Sequence, residues 1–278
     1  MRIQILSDTH SSPYTINPDA DIIVAAGDLS NGVKGVFDFV KKCQDAKKDY
    51  VLVLGNHDFV GTSIQEVYNI LDENGVNYLK EGREYFYKGY CFVGGTLFTN
   101  FRANVDTKKQ VKKHKQFAFD NIFDFQSIYK NGMNEQRFFL SCIMAGHNAK
   151  PSSNGFYVTP DDYVELFNKQ WKWIQQYRNK NNVIVVTHFP PHLACLDPYW
   201  SVHPTASSLN PYFINDLDIK GFKLWLTAHT HTCLDTVADG CRLVVNALGY
   251  PAEQIKGNGF TPDKIIELPD VNKENVKK

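Results

Sequence analysis

Five apolar runs in this chain break off in the same way. "RIQIL" gives onto Ser7, Asp8, Thr9 and His10; "IIVAAGD" ends at Asp28; "VLVLGNHD" ends at Asn56 and His57; "VIVVTH" ends at His188; "LWLTAHTH" ends at His229 and His231. Short, continuous runs with β-branched residues suit strands buried on both faces. In an open α/β sheet, ligands and chemistry gather beyond the carboxyl ends of the strands. One acid or imidazole at a strand end is an ordinary turn or cap. Five strand ends that each deliver Asp, Asn or His point to one shared site.

Between the first runs the apolar spacing changes period. Val36, Phe37, Phe39, Val40 and Cys43 lie at helical spacing within Val33 to Lys48, as do Ile64, Val67, Tyr68 and Leu71 before a stop at Gly75. Strand, helix, strand, helix predicts an α/β fold. "EYFYKGYCFVGG" reads as two strands joined by a tight turn at Lys88 and Gly89, and "PDDYVELFNKQWKWIQQYRN" as a helix starting near Pro160. The last third reads as strands with short turns. No linker divides the chain, so residues 1–278 are expected to form one domain. A mostly helical insertion is expected at about 101–160, and a frayed polar tail from about 270.

Composition excludes several classes. Thirty basic residues balance thirty acidic ones, so there is no global field for a polyanion or an anionic membrane. No run resembles a transmembrane span or a secretory signal. Six scattered cysteines form no CxxC pair, which argues for reduced thiols and a cytoplasmic setting and against a zinc ribbon. No P-loop, dinucleotide fingerprint or GxSxG elbow is present. What remains is an oxygen and nitrogen donor set without thiolate, suited to Mn²⁺, Fe, Zn²⁺ or Ni²⁺. Asp8, His10, Asp28, Asn56, His188, His229 and His231 make seven donors. That is too many for one ion and suits two sharing a bridging carboxylate, an arrangement that clamps a phosphoryl group and generates hydroxide at neutral pH.

The ordered blocks "DTH", "GD", "GNHD", "TH" and "AHTH" resemble the calcineurin-like metallophosphoesterase superfamily, and they span Asp8 to His231. The resemblance implies a two-sheet β-sandwich flanked by helices. It implies that Asp8, His10 and His231 hold one metal, that Asn56, His188 and His229 hold the other, and that Asp28 bridges them. It also implies that His57 faces the substrate and protonates the leaving oxygen. Two departures stand out. Ala228 occupies a position where the superfamily usually has glycine. The protein Ser/Thr phosphatase branch carries "GDYVDRG" and "RGNHE"; here Asn31, Gly32 and Leu54 fall where an acid and two arginines would be. The resemblance therefore lies with the phosphodiesterase-like branches, and it names no residue that orients His57.

The expected activity is metal-dependent hydrolysis of small or nucleotide-derived phosphodiesters, with Mn²⁺ the expected metal and no membrane partner. One alternative is a nuclease, with the lysine-rich run Lys108 to Lys115 as a nucleic-acid track. Another is a binding scaffold that keeps the fold without catalysis. His192 in "HFPPH", and Tyr199 and Trp200 in the loop that follows, are further candidates for touching substrate. His114, within the lysine run, is expected to be solvated.

Overall fold

The computed structural model describes residues 1–105, 107–131, 156–197 and 204–271, with the backbone alone at 204–207. Strands β1 (Arg2–Leu6), β2 (Ile22–Ala25) and β3 (Asp49–Leu52) run parallel, with Ile5 beside Val24 and Val24 beside Val51. Strand β10 (Ile265–Glu267) pairs antiparallel with β1 and completes a four-stranded sheet. In the second sheet β5 (Tyr90–Gly95), β6 (Val183–Thr187), β7 (Leu224–Thr227) and β9 (Cys241–Val245) are parallel. Strands β4 (Tyr85–Tyr87) and β8 (Leu234–Ala238) form its antiparallel edges, for six strands in all.

The near-continuous apolar runs follow from burial on both faces. Alternate side chains point opposite ways, so Ile3, Ile5, Val24 and Val51 of one sheet share a core with Phe92, Val186, Leu226 and Val244 of the other. Their neighbours Ile23, Leu52, Val185 and Trp225 turn outward into a second core roofed by helices. Helix α1 (Lys34–Asp45) buries Val36, Phe39, Val40 and Cys43; α2 (Ile64–Glu73) buries Val67, Tyr68 and Leu71. These are the stripes expected from the spacing. The result is the two-sheet sandwich flanked by helices that the sequence implied.

Three further helices frame the site. They are α3 (Lys108–Asn121), the single turn α4 (Asp124–Ser127) and α5 (Pro160–Ile174). Helix α5 starts at Pro160, and Thr159 and Asp162 exchange side-chain and backbone hydrogen bonds around its first turn. Within the stretch expected to be a helical insertion, α3 and α4 are helical, while residues 132–155 lie outside the described residues. His114 is not solvated as expected: its Nδ1 donates to the Ser208 carbonyl at 2.8 Å, tying α3 to α6 (Pro204–Phe213). The last third is also not all strands. A short helix, α7 (Pro251–Lys256), follows β9, with proline at its first turn and Glu253 reaching back to the Tyr250 N–H. No helix among the described residues is long and apolar enough to cross a membrane.

Beyond their ladders the two sheets meet. Ser7 pairs with Ala247, and the Leu248 and Gly249 N–H groups donate to the Ser7 and Asp8 carbonyls, each at 3.0 Å. The carboxyl ends of both sets of parallel strands therefore open onto one seam.

Candidate metal centre

At this seam the backbone bends sharply. Asp8, His10, Asp28, His229 and His231 all adopt left-handed backbone, with φ between 43° and 71°. Asp and His tolerate that region better than most residues, yet each instance still costs about 1 kcal/mol. Strain of this kind clusters where side chains must be aimed. The bends turn both members of each i, i+2 pair inward. Two glycines make the crowding possible in different ways. Gly27 has φ +93°, and a Cβ there would sit 2.8 Å from His188 Nδ1. Gly55 is needed for room: a methyl on it would overlap the Asp28 carboxylate.

The donors converge. His188 Nε2 lies 3.1 Å from Asn56 Oδ1, 3.1 Å from His229 Nδ1 and 3.3 Å from Asp28 Oδ2. His231 Nε2 lies 3.1 Å from His10 Nε2 and 3.4 Å from Asp8 Oδ1. Outer partners set which ring atom faces inward. His188 Nδ1 donates to the Ala26 carbonyl at 2.8 Å, and His231 Nδ1 donates to Glu253 Oε2 at 2.7 Å. In the neutral imidazoles both inward nitrogens thus carry lone pairs. Burial disfavours charge on His188, but the Asp28 carboxylate outweighs it and holds the ring up to about 9. Burial is likewise outweighed at His231 by Asp8 and Glu253, to about 10. Burial keeps His10 down to about 4, and burial plus the neighbouring His188 keeps His229 neutral.

Five supporting residues carried no role in the sequence reading. Asp58, fully buried, accepts from the backbone N–H of Asp28 (3.0 Å), Leu29 (3.0 Å), Ser30 (3.4 Å) and Gly55 (2.8 Å), pinning the two ligand-bearing loops together. Removing it strands those donors in the interior, so Asp58→Ala should lose roughly 4 kcal/mol in urea unfolding, with Asp58→Asn well short of that. Asp124 of α4 accepts from Asn56 Nδ2 at 3.0 Å and from the Tyr163 and Tyr212 hydroxyls, fixing the Asn56 amide so that its oxygen faces His188. Asn31 Oδ1 lies 2.7 Å from His57 Nδ1 and so orients the ring that the sequence left without an orienting partner. Glu253 is the partner of His231 described above, and Tyr250 stacks on His10 at 4.3 Å.

A family model for calcineurin-like phosphoesterases matches residues 1–233. The chain belongs to that family. It is a metallophosphoesterase, a hydrolase of phosphate-ester substrates, and the family implies a dinuclear divalent metal centre. No curated protein matches the chain. Among solved structures, phosphopantetheinyl hydrolase from Mycobacterium tuberculosis is 17% identical, covers 91% of this chain and 91% of its own, and superposes with a TM-score of 0.57, a likeness of fold. A dimetal phosphatase from Danio rerio is 13% identical, with 88% and 86% covered and a TM-score of 0.45.

The metallophosphoesterase donor set fits a pair of cations. Ligands about 2.1 Å from one ion sit about 3–3.5 Å from one another, and the inward contacts span 3.1–3.4 Å. Asp8, His10 and His231 form one group of converging donors; Asp28, His188 and His229 form another. A third group joins His10, Asp28 and His57. His229 Nε2 is buried without a hydrogen-bond partner among the described residues. The centre opens on a cavity of about 580 Å³ whose lining includes Asp28, Asn56, His57, His229 and His231. His192 is absent from that lining: its Nδ1 accepts from the Ala194 N–H at 3.1 Å, and its Nε2 lies 3.9 Å from Asp239. Tyr199 and Trp200 lie outside the described residues.

Proposed function

We propose that this metallophosphoesterase hydrolyses small phosphodiesters, with Asp8, His10 and His231 holding one divalent cation, Asn56, His188 and His229 the other, and Asp28 between them. The observation that carries this reading is the convergence of ring nitrogens and side-chain oxygens at 3.1–3.4 Å. The donor chemistry suits Mn²⁺. When bound, the two cations supply Lewis-acid stabilisation of phosphoryl charge and an activated water.

The chain's own residues do the rest. Asp28 is positioned by accepting the His57 N–H at 2.8 Å, so the two loops move as one. Asn31, a neutral acceptor, holds His57 Nδ1–H and turns Nε2 to the cavity without adding a charge. From there His57 gives a proton to the leaving oxygen as the P–O bond breaks and the water oxygen joins phosphorus.

The nuclease alternative finds no support at the cavity. The exposed lysines of α3 face outward, and Lys115 pairs with Asp161 at 2.7 Å. The test is turnover of bis(p-nitrophenyl) phosphate. Chelator-stripped protein should be inactive, and Mn²⁺ should restore activity. Silence across mono- and diesters after loading with Mn²⁺, Fe²⁺, Zn²⁺ or Ni²⁺ would count against the reading.

A further inference from the structure

The cavity lining is of two kinds. Besides the donor cluster it includes Ile122 and Phe123, at the junction of α3 and α4, together with Leu196, Leu209 and Phe213, whose ring centroid lies 5.3 Å from that of His229. None of these belongs to the strand ends that carry the chemistry. Phe123 lines the cavity and is 55% exposed. The ionisable groups among the described lining residues are acids, histidines and tyrosines; no lysine or arginine is among them.

Those facts bear on the part of the substrate that is not phosphorus. A second phosphate or a carboxylate brought against these apolar side chains would leave water without gaining a cation, which is costly. An uncharged apolar group would instead cover Phe123 and release water from both surfaces. Building on the phosphodiester reading above, we propose that the cavity selects esters of one ionised phosphoryl group whose second substituent is an uncharged aromatic or branched-apolar alcohol, seated on Ile122, Phe123, Leu196, Leu209 and Phe213. Selectivity then resides in the α3–α4 junction and the segments ending at Leu196 and Phe213, which carry none of the proposed metal ligands.

The test is calorimetric binding of methylphosphonate, benzylphosphonate and 2-carboxyethylphosphonate to the Mn²⁺-loaded chain, beside turnover of bis(p-nitrophenyl) phosphate. Benzylphosphonate should bind about tenfold more tightly than methylphosphonate, and 2-carboxyethylphosphonate no more tightly than methylphosphonate. Phe123→Ala should shrink the benzyl-to-methyl ratio at least threefold. Phe123→Lys, at the same exposed position, should turn the preference toward the carboxyethyl compound. Equal binding of benzyl and methyl compounds, or a preference of the unaltered chain for the second anion, overturns this proposal while turnover upholds the phosphodiester reading. If no phosphonate binds and no ester turns over, that reading falls and this one with it.

Discussion

Asp28→Asn will lower metal-dependent diester hydrolysis by about a thousandfold or more, roughly 4 kcal/mol of transition-state stabilisation. The substitution is nearly isosteric, and its structural cost is small. The amide oxygen it introduces would still accept the His57 N–H that Asp28 Oδ1 accepts now. What disappears is the carboxylate placed between the two groups of donors. Circular dichroism should therefore stay close to the parent while bound Mn²⁺ falls below two ions per chain. A variant that keeps both its metals and its rate would show that Asp28 does not bridge.

The second large effect is expected at His57, and its signature is chemical. For a diester whose leaving alkoxide is strongly basic, protonation is worth about 10²–10⁴ in rate, so His57→Ala should reduce turnover of such esters about a thousandfold. A p-nitrophenolate leaves without a proton, so bis(p-nitrophenyl) phosphate should lose only about tenfold. The ring also falls in a group with His10 and Asp28, which raises a rival role as a metal ligand. Metal content separates the two: unchanged Mn²⁺ stoichiometry with a steep dependence on the leaving group fits an acid, and lost metal with a uniform drop fits a ligand.

Much of this was legible in the chain because it is local. Each strand and its polar terminus lie within a dozen residues, so the apolar run at Ile3, Ile5 and Leu6 and the donors at Asp8 and His10 can be read in one window. The supporting contacts are not local. Asp124 meets Asn56 across 68 positions, and Tyr212 meets Asp124 across 88. Nothing in the aromatic-rich "FAFDNIFDF" marks one aspartate as buried. Glu253 does have a local signal: proline two positions before a glutamate marks the start of a helix, and that helix brings the acid to His231 Nδ1. Asp58 stands in plain view in "GNHD", but its value lies in four backbone N–H groups that only the folded loops present. The Asn31 to His57 contact spans 26 positions and joins two loops that the strands β2 and β3 bring side by side.

Anomalous diffraction from Mn²⁺-soaked crystals tests the central claim most directly. Two peaks are expected, one among Asp8, His10 and His231 and one among Asn56, His188 and His229, with the Asp28 carboxylate between them. A single peak elsewhere on the chain, or none at the seam of the two sheets, would contradict the account.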